Sequence, residues 1–149
     1  MKKLIAIASA GGHWVQLLRL RPAFEGCDVT YITTMKHMSD ILPGEKVRFV
    51  PDASKSEKFR LFILSIRLFY LIIRIRPKVI VTTGAAPGVI ALLIGRLLGA
   101  NTVWIDSIAN AEELSLSGRL AVGRADMVLS QWPEVAAKYE GVEWKGAVV

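Results

Sequence analysis

Two rhythms of apolar and polar positions alternate along this chain. Short runs rich in β-branched residues predict strands, and longer runs with apolar residues three or four apart predict helices. The predicted strands are Lys3–Ser9, Asp28–Thr33, Lys46–Val50, Val79–Thr83, Thr102–Asp106 and Met127–Ser130. Between them lie predicted helices over Trp14–Arg21, Glu57–Arg76 and Pro87–Leu98, a helical turn around Gly118–Val122 and a short helix over Trp132–Tyr139. Pro77 stops the longest helix and Gly99 closes the next. The uncharged run Val79–Thr83 suits a strand buried on both faces of a parallel sheet. Strands and helices that alternate in this way predict an α/β fold, a Rossmann-like doubly wound and mainly parallel sheet.

A chain of 149 residues, 52% hydrophobic and 21% charged, is long enough for a real core and short for two. One domain over 1–149 is expected, with no repeat or internal linker. Cys27 is the sole cysteine, which excludes an internal disulfide and any CxxC metal or redox site. Lys2-Lys3 followed by an apolar run imitates a signal peptide. Its apolar run, Leu4–Ala8, is shorter than the roughly 7–15 residues such a segment needs, so a buried first strand is expected and the cytoplasm is the default compartment. Charge is uneven: residues 1–78 carry 14 Lys/Arg against 6 Asp/Glu, and residues 79–149 carry 5 against 7. A basic half of this kind implies a surface that meets an anionic partner.

Three predicted strand ends carry unusual chemistry, at the edge where doubly wound sheets bind ligands. The first is Ser9-Ala10-Gly11-Gly12-His13. Its glycines let the backbone approach a ligand, and the helix start offers free N–H groups to an anion. The GxGxxG spacing is missing and no acidic residue ends the second strand, which argues against a dinucleotide site. His13 could donate to a phosphate, act as a base, or simply cap the helix; its position leaves these open. The second loop, Thr82-Thr83-Gly84-Ala85-Ala86-Pro87-Gly88, has the form of an anion site but lacks the lysine of a P-loop. In the third, Asp106-Ser107, the acid could bind a sugar hydroxyl, orient His13 or cap the following turn. No set of metal ligands is apparent, and no cofactor is expected.

The segment 55–78 holds seven Lys/Arg and one Glu and is otherwise strongly apolar. Arg60, Arg67 and Arg74 recur every seven residues and share one helical stripe, flanked by Ile63 and Tyr70. Its uncharged runs, 61–66 and 68–73, are too short for a transmembrane span. A helix lying in the headgroup layer, with arginines on lipid phosphates, accounts for both the grease and the charge. Snorkelling arginines on a core helix are the alternative. A nucleic-acid module is disfavoured, because no helix-turn-helix, RNP or OB signature accompanies the basic residues.

Taken together, Ser9–Leu18, Thr82–Val89, Asp106–Leu120 and Ala125–Trp132 resemble one family. It comprises the membrane-anchor subunit of the two-part transferase that adds the second N-acetylglucosamine to dolichyl diphosphate, and bacterial PssD-like subunits of capsule and exopolysaccharide glycosyltransferases. More distantly, the chain is similar to the N-terminal half of the transferase that makes lipid II. The resemblance implies the acceptor-side, N-terminal half of a GT-B glycosyltransferase, located peripherally on the inner face of the cell membrane. It implies a heterodimer with a separate subunit that binds the UDP-sugar, and a polyprenyl-diphosphate-linked sugar as acceptor. By the same resemblance Gly11, Gly12, His13, Thr83, Gly84, Pro87, Gly88, Asp106 and Ser107 bind the acceptor, with His13 and Asp106 as candidate catalytic groups. Gln131 and Trp132 then fall toward the partner. Asn110 stands where many relatives carry arginine, and the basic helix stands in for the N-terminal span of many eukaryotic members. A stand-alone nucleotide- or small-molecule-binding domain without catalysis is the other function consistent with the residues.

Overall fold

The computed structural model describes the whole chain except residues 38, 39, 41, 55 and 149. Its elements run β1 (Lys2–Ile7), α1 (Gly12–Arg19), a 3-10 turn (Arg21–Phe24), β2 (Cys27–Thr33), β3 (Lys46–Phe49) and α2 (Lys58–Ile75). There follow β4 (Val79–Thr82), α3 (Ala85–Leu97), β5 (Asn101–Ile105), α4 (Leu116–Ala121), β6 (Met127–Ser130), α5 (Pro133–Lys138) and β7 (Val142–Trp144). The strands form one sheet in the order β3-β2-β1-β4-β5-β6-β7, with every neighbouring pair parallel.

Each expected strand and helix is present, with no end moved by more than two residues. Helix α3 opens at Ala85, so Pro87 lies inside its first turn, where a missing N–H costs no hydrogen bond. Arg76 closes α2 in a left-handed conformation (φ 53) before Pro77. The expected helix over Trp14–Arg21 instead covers Gly12–Arg19 and gives way to the 3-10 turn. Strand β7 was not anticipated by the hydrophobic pattern; three residues are too few for alternation to register.

Helices α2 to α5 cover one face of the sheet over a core that includes Ile5, Ile7, Leu68, Ile80, Trp104 and Val128. Helix α1 and the 3-10 turn cover the other face around Ala6, Trp14, Leu17 and Tyr31, chiefly over β1 and β2. On that second side Val79, Val103 and Leu129 stay half-buried and Met127 exposed, so β4–β6 are thinly covered there. Parallel sheets ordinarily bury both faces.

Candidate functional site

The strand order reverses between β1 and β4, and the loops leaving these two strands meet at that switch point. Helix α1 begins after Gly11 (φ 78) and α3 after Gly84 (φ 146); neither has a side-chain cap or an acidic residue in its first turn. Two helix N-termini, one from each face of the sheet, therefore bring unpaired N–H groups and partial positive charge to one crevice.

His13 braces the two loops. Its Nδ1 lies 3.1 Å from the Thr83 carbonyl, and the Thr83 hydroxyl donates back to the His13 carbonyl. A carbonyl oxygen can only accept, so Nδ1 carries the proton of the neutral ring. Nε2 is then the acceptor, available to take a proton from a bound hydroxyl. His13 as a whole is half-buried. Gly84 is dictated by the contact: a Cβ there would stand 2.5 Å from His13 Nδ1. The next residue, Ala85, is held at φ 70, a strained geometry for a residue with a side chain. Gly11 and Gly12 are exposed and His13 is half-buried, whereas Thr83, Gly84, Pro87 and Gly88 are buried. Pro87 and Gly88 shape the turn, and a Cβ at Gly88 would strike the Thr82 hydroxyl at 2.2 Å.

Of the roles open to Asp106, the structure shows the one that holds the following turn. Asp106 is 2% exposed, and its oxygens accept from Trp104 Nε1 (3.0 Å), Asn110 Nδ2 (3.1 Å), the Ser115 amide (3.0 Å) and the Ser115 hydroxyl (2.6 Å). Four donors fill the carboxylate's acceptor positions. No hydrogen bond links Asp106 to His13 among the described residues. The acid anchors the loop 107–115 and the start of α4, whose Ser115 hydroxyl caps the Gly118 amide at 2.8 Å.

Ser107 and Gln131 belong to a neighbouring hydrogen-bond network. The Ser107 hydroxyl oxygen accepts from Gln16 Nε2 (3.1 Å) and the Ala109 amide (3.2 Å). Gln131 is 4% exposed; its Nε2 donates to Gln16 Oε1 (2.7 Å) and the Asp106 carbonyl (2.9 Å), and its Oε1 accepts the Val148 amide (2.8 Å). Trp132 is half-buried, with its indole N–H donating to the Ile108 carbonyl at 2.7 Å. The hub of this network is Gln16, which the sequence reading passed over. It lies one turn after His13 and joins α1 to the ends of β5 and β6 by accepting also from the Ile108 amide at 3.2 Å. Gln16→Leu keeps the volume but strands the Gln131 donor and the Ile108 amide. It is expected to cost about 1–3 kcal/mol, read as a lower urea midpoint at unchanged m-value.

Arg60, Ile63, Arg67, Tyr70 and Arg74 are all exposed on α2, as the seven-residue spacing implied. The buried stripe of the helix is Leu64, Leu68, Leu71 and Ile72. Outside it the helix also exposes Phe59 (75%), Phe62 (62%), Ile66 (55%), Phe69 and Ile73. No described helix is long and apolar enough to cross a membrane, and no three described His, Cys, Asp or Glu residues cluster as metal ligands would.

An all-parallel 3-2-1-4-5-6-7 sheet, with glycine loops and a braced histidine at its switch point, defines a Rossmann-like α/β domain. It superposes on MurG of Acinetobacter baumannii with a TM-score of 0.79 at 14% identity, covering 97% of this chain and 46% of that one. At that identity the likeness is one of fold, and the chain spans about half of the larger protein. The family model described as "oligosaccharide biosynthesis protein Alg14 like" matches residues 29–148, and the chain belongs to that family. The UDP-N-acetylglucosamine transferase subunit alg14 of Schizosaccharomyces pombe is 29% identical over 175 residues, covering 99% of this chain and 83% of that protein. The corresponding subunit of Eremothecium gossypii is 39% identical over 79 residues, 49% of this chain and 35% of its own length.

Proposed function

We propose that this chain is the acceptor-side subunit of a two-component glycosyltransferase in lipid-linked oligosaccharide or polysaccharide synthesis. The observation that carries the reading is the switch-point crevice, where two uncapped helix N-termini flank a histidine whose Nε2 is unprotonated in the neutral ring. Uncapped termini suit the diphosphate of a polyprenyl-diphosphate-linked sugar. A bare Nε2 suits deprotonation of its attacking hydroxyl.

In the reaction so proposed, that hydroxyl attacks the anomeric carbon of a UDP-sugar from the face opposite the leaving group. A new C–O bond forms, the bond to UDP breaks with its electron pair leaving on the diphosphate, and His13 Nε2 takes the hydroxyl proton. The UDP-sugar is bound by a second subunit, and no cofactor enters the step. Two facts support a subunit rather than a stand-alone binding domain. The relatives are named as subunits, and the thinly covered side of β4–β6 leaves apolar sheet surface for a protein to bury. The exposed apolar and basic surface of α2 supports peripheral attachment to the inner face of the cell membrane.

The test is reconstitution with a separately purified UDP-sugar-binding glycosyltransferase subunit, a panel of UDP-sugars and a polyprenyl-diphosphate-sugar acceptor. Transfer is expected from the pair and from neither protein alone. Measurable transfer by the 149-residue chain alone would sink the split-enzyme reading.

A further inference from the structure

Arg48 belongs to the strand side of the molecule, yet its neighbours make it part of the α2 surface. In β3, Val47 and Phe49 turn toward the core shared with α1. Alternation therefore sends Arg48 to the face that α2 covers. There Arg48, Arg67 and Arg74 line one pocket of about 400 Å³ with Tyr70, Leu71 and Ile75. A sheet position facing a helix ordinarily holds an apolar residue, and a third guanidinium facing two others is unfavourable without an anion between them.

We propose that this pocket binds the phosphate of an anionic phospholipid headgroup, fixing how α2 sits on the membrane. None of the three arginines forms an ion pair among the described residues; the pairs engage Arg21, Lys46, Arg60, Arg119 and Lys145 instead. Arg48 spends one of its five N–H donors on the Val47 carbonyl (3.0 Å), leaving the rest for a ligand. Arg67 is steadied by the Tyr70 ring, with Cζ 5.9 Å from the centroid. The arginine stripe borders the exposed apolar flank of Phe62, Ile66, Phe69 and Ile73. A phosphate held at the stripe places that flank at the depth of the upper acyl chains. A lipid phosphate is favoured over a soluble one because the pocket opens beside this grease, which a free anion does not use. The inference rests on the membrane reading above and adds to it a geometric demand that diffuse attraction lacks.

The experiment measures partitioning onto vesicles of phosphatidylcholine alone and with phosphatidylglycerol, for wild type, Arg48→Ala, Arg48→Lys and Arg96→Ala. Because guanidinium grips phosphate in a bidentate manner, Arg48→Lys is expected to lose most of what Arg48→Ala loses, about fivefold, on the anionic vesicles only. Arg96→Ala, on α3, should change binding less. Arg48→Ala and Arg67→Ala should be less than additive if they share one phosphate. Arg48→Lys binding like wild type overturns the pocket and leaves the membrane reading standing. Wild type ignoring anionic vesicles overturns both. Glycerol phosphate releasing wild type at millimolar concentration would show that the pocket takes a soluble phosphate, and would overturn the lipid assignment. Circular dichroism of each variant checks that the exposed substitutions leave the fold intact.

Discussion

Asp106→Ala is expected to lower the stability of the domain by about 3–5 kcal/mol, the largest stability loss foreseen for this chain. The substitution removes the acceptor for Trp104 Nε1, Asn110 Nδ2 and both donors of Ser115, in a place 2% exposed. Each stranded buried donor costs about 1–3 kcal/mol, with water entering the space recovering part of it. Asp106→Asn separates the possibilities further. Its oxygen can keep Trp104 and the Ser115 hydroxyl, but its amide group then faces the Ser115 backbone N–H, which cannot turn away. A loss of about 1–3 kcal/mol is expected for it, with the same ordering in urea and thermal unfolding. If Asp106→Asn unfolded like wild type yet abolished glycosyl transfer, the acid would be a catalytic group and the anchoring role assigned to it would be wrong.

The contrast between Asp106 and His13 shows what the sequence could and could not say about the site. The switch-point loops were legible because they depend on local order: a strand, two glycines, then a helix on which His13 falls in the first turn. Glycine at 84 was legible as part of a strand-to-helix loop, but not that its missing side chain makes room for His13. Asp106, Ser107 and Gln131 were equally visible as polar residues at strand ends, but their roles depend on partners far along the chain. Gln16 lies 91 residues from Ser107 and 115 from Gln131, and no spacing rule connects them. The one available signal was a glutamine on α1 directly before the buried Leu17, with no aqueous face of its own. Helix α2 was legible in full, since seven-residue recurrence alone places its arginines together. Arg48 was not, because only strand alternation and the packing of α2 over β3 bring it to them. The thin cover over β4–β6 is likewise a tertiary fact: Val103 and Leu129 read as core strand residues whether or not a helix lies above them.

His13→Ala is expected to reduce transfer by the reconstituted pair about 10²–10⁴-fold, the range that a positioned general base contributes. The effect should fall on kcat, because the ring removes a proton in the transition state and the acceptor diphosphate is held by backbone N–H groups the substitution leaves in place. Stability should change little by comparison, since His13 is half-buried and its ring makes one hydrogen bond, to the Thr83 carbonyl. His13→Gln is the sharper variant. It can still donate to Thr83 through its amide, preserving the brace between the β1 and β4 loops, but offers no basic nitrogen. If the ring acts as the base, His13→Gln should be as inactive as His13→Ala while unfolding at the wild-type midpoint. If instead His13→Gln restores activity, the bond to Thr83 is what the reaction needs, and His13 is a positioning residue with the base elsewhere. A pair that keeps near-normal kcat in both variants would return His13 to the simple role of a helix-start residue and remove the chemical core of the proposed mechanism.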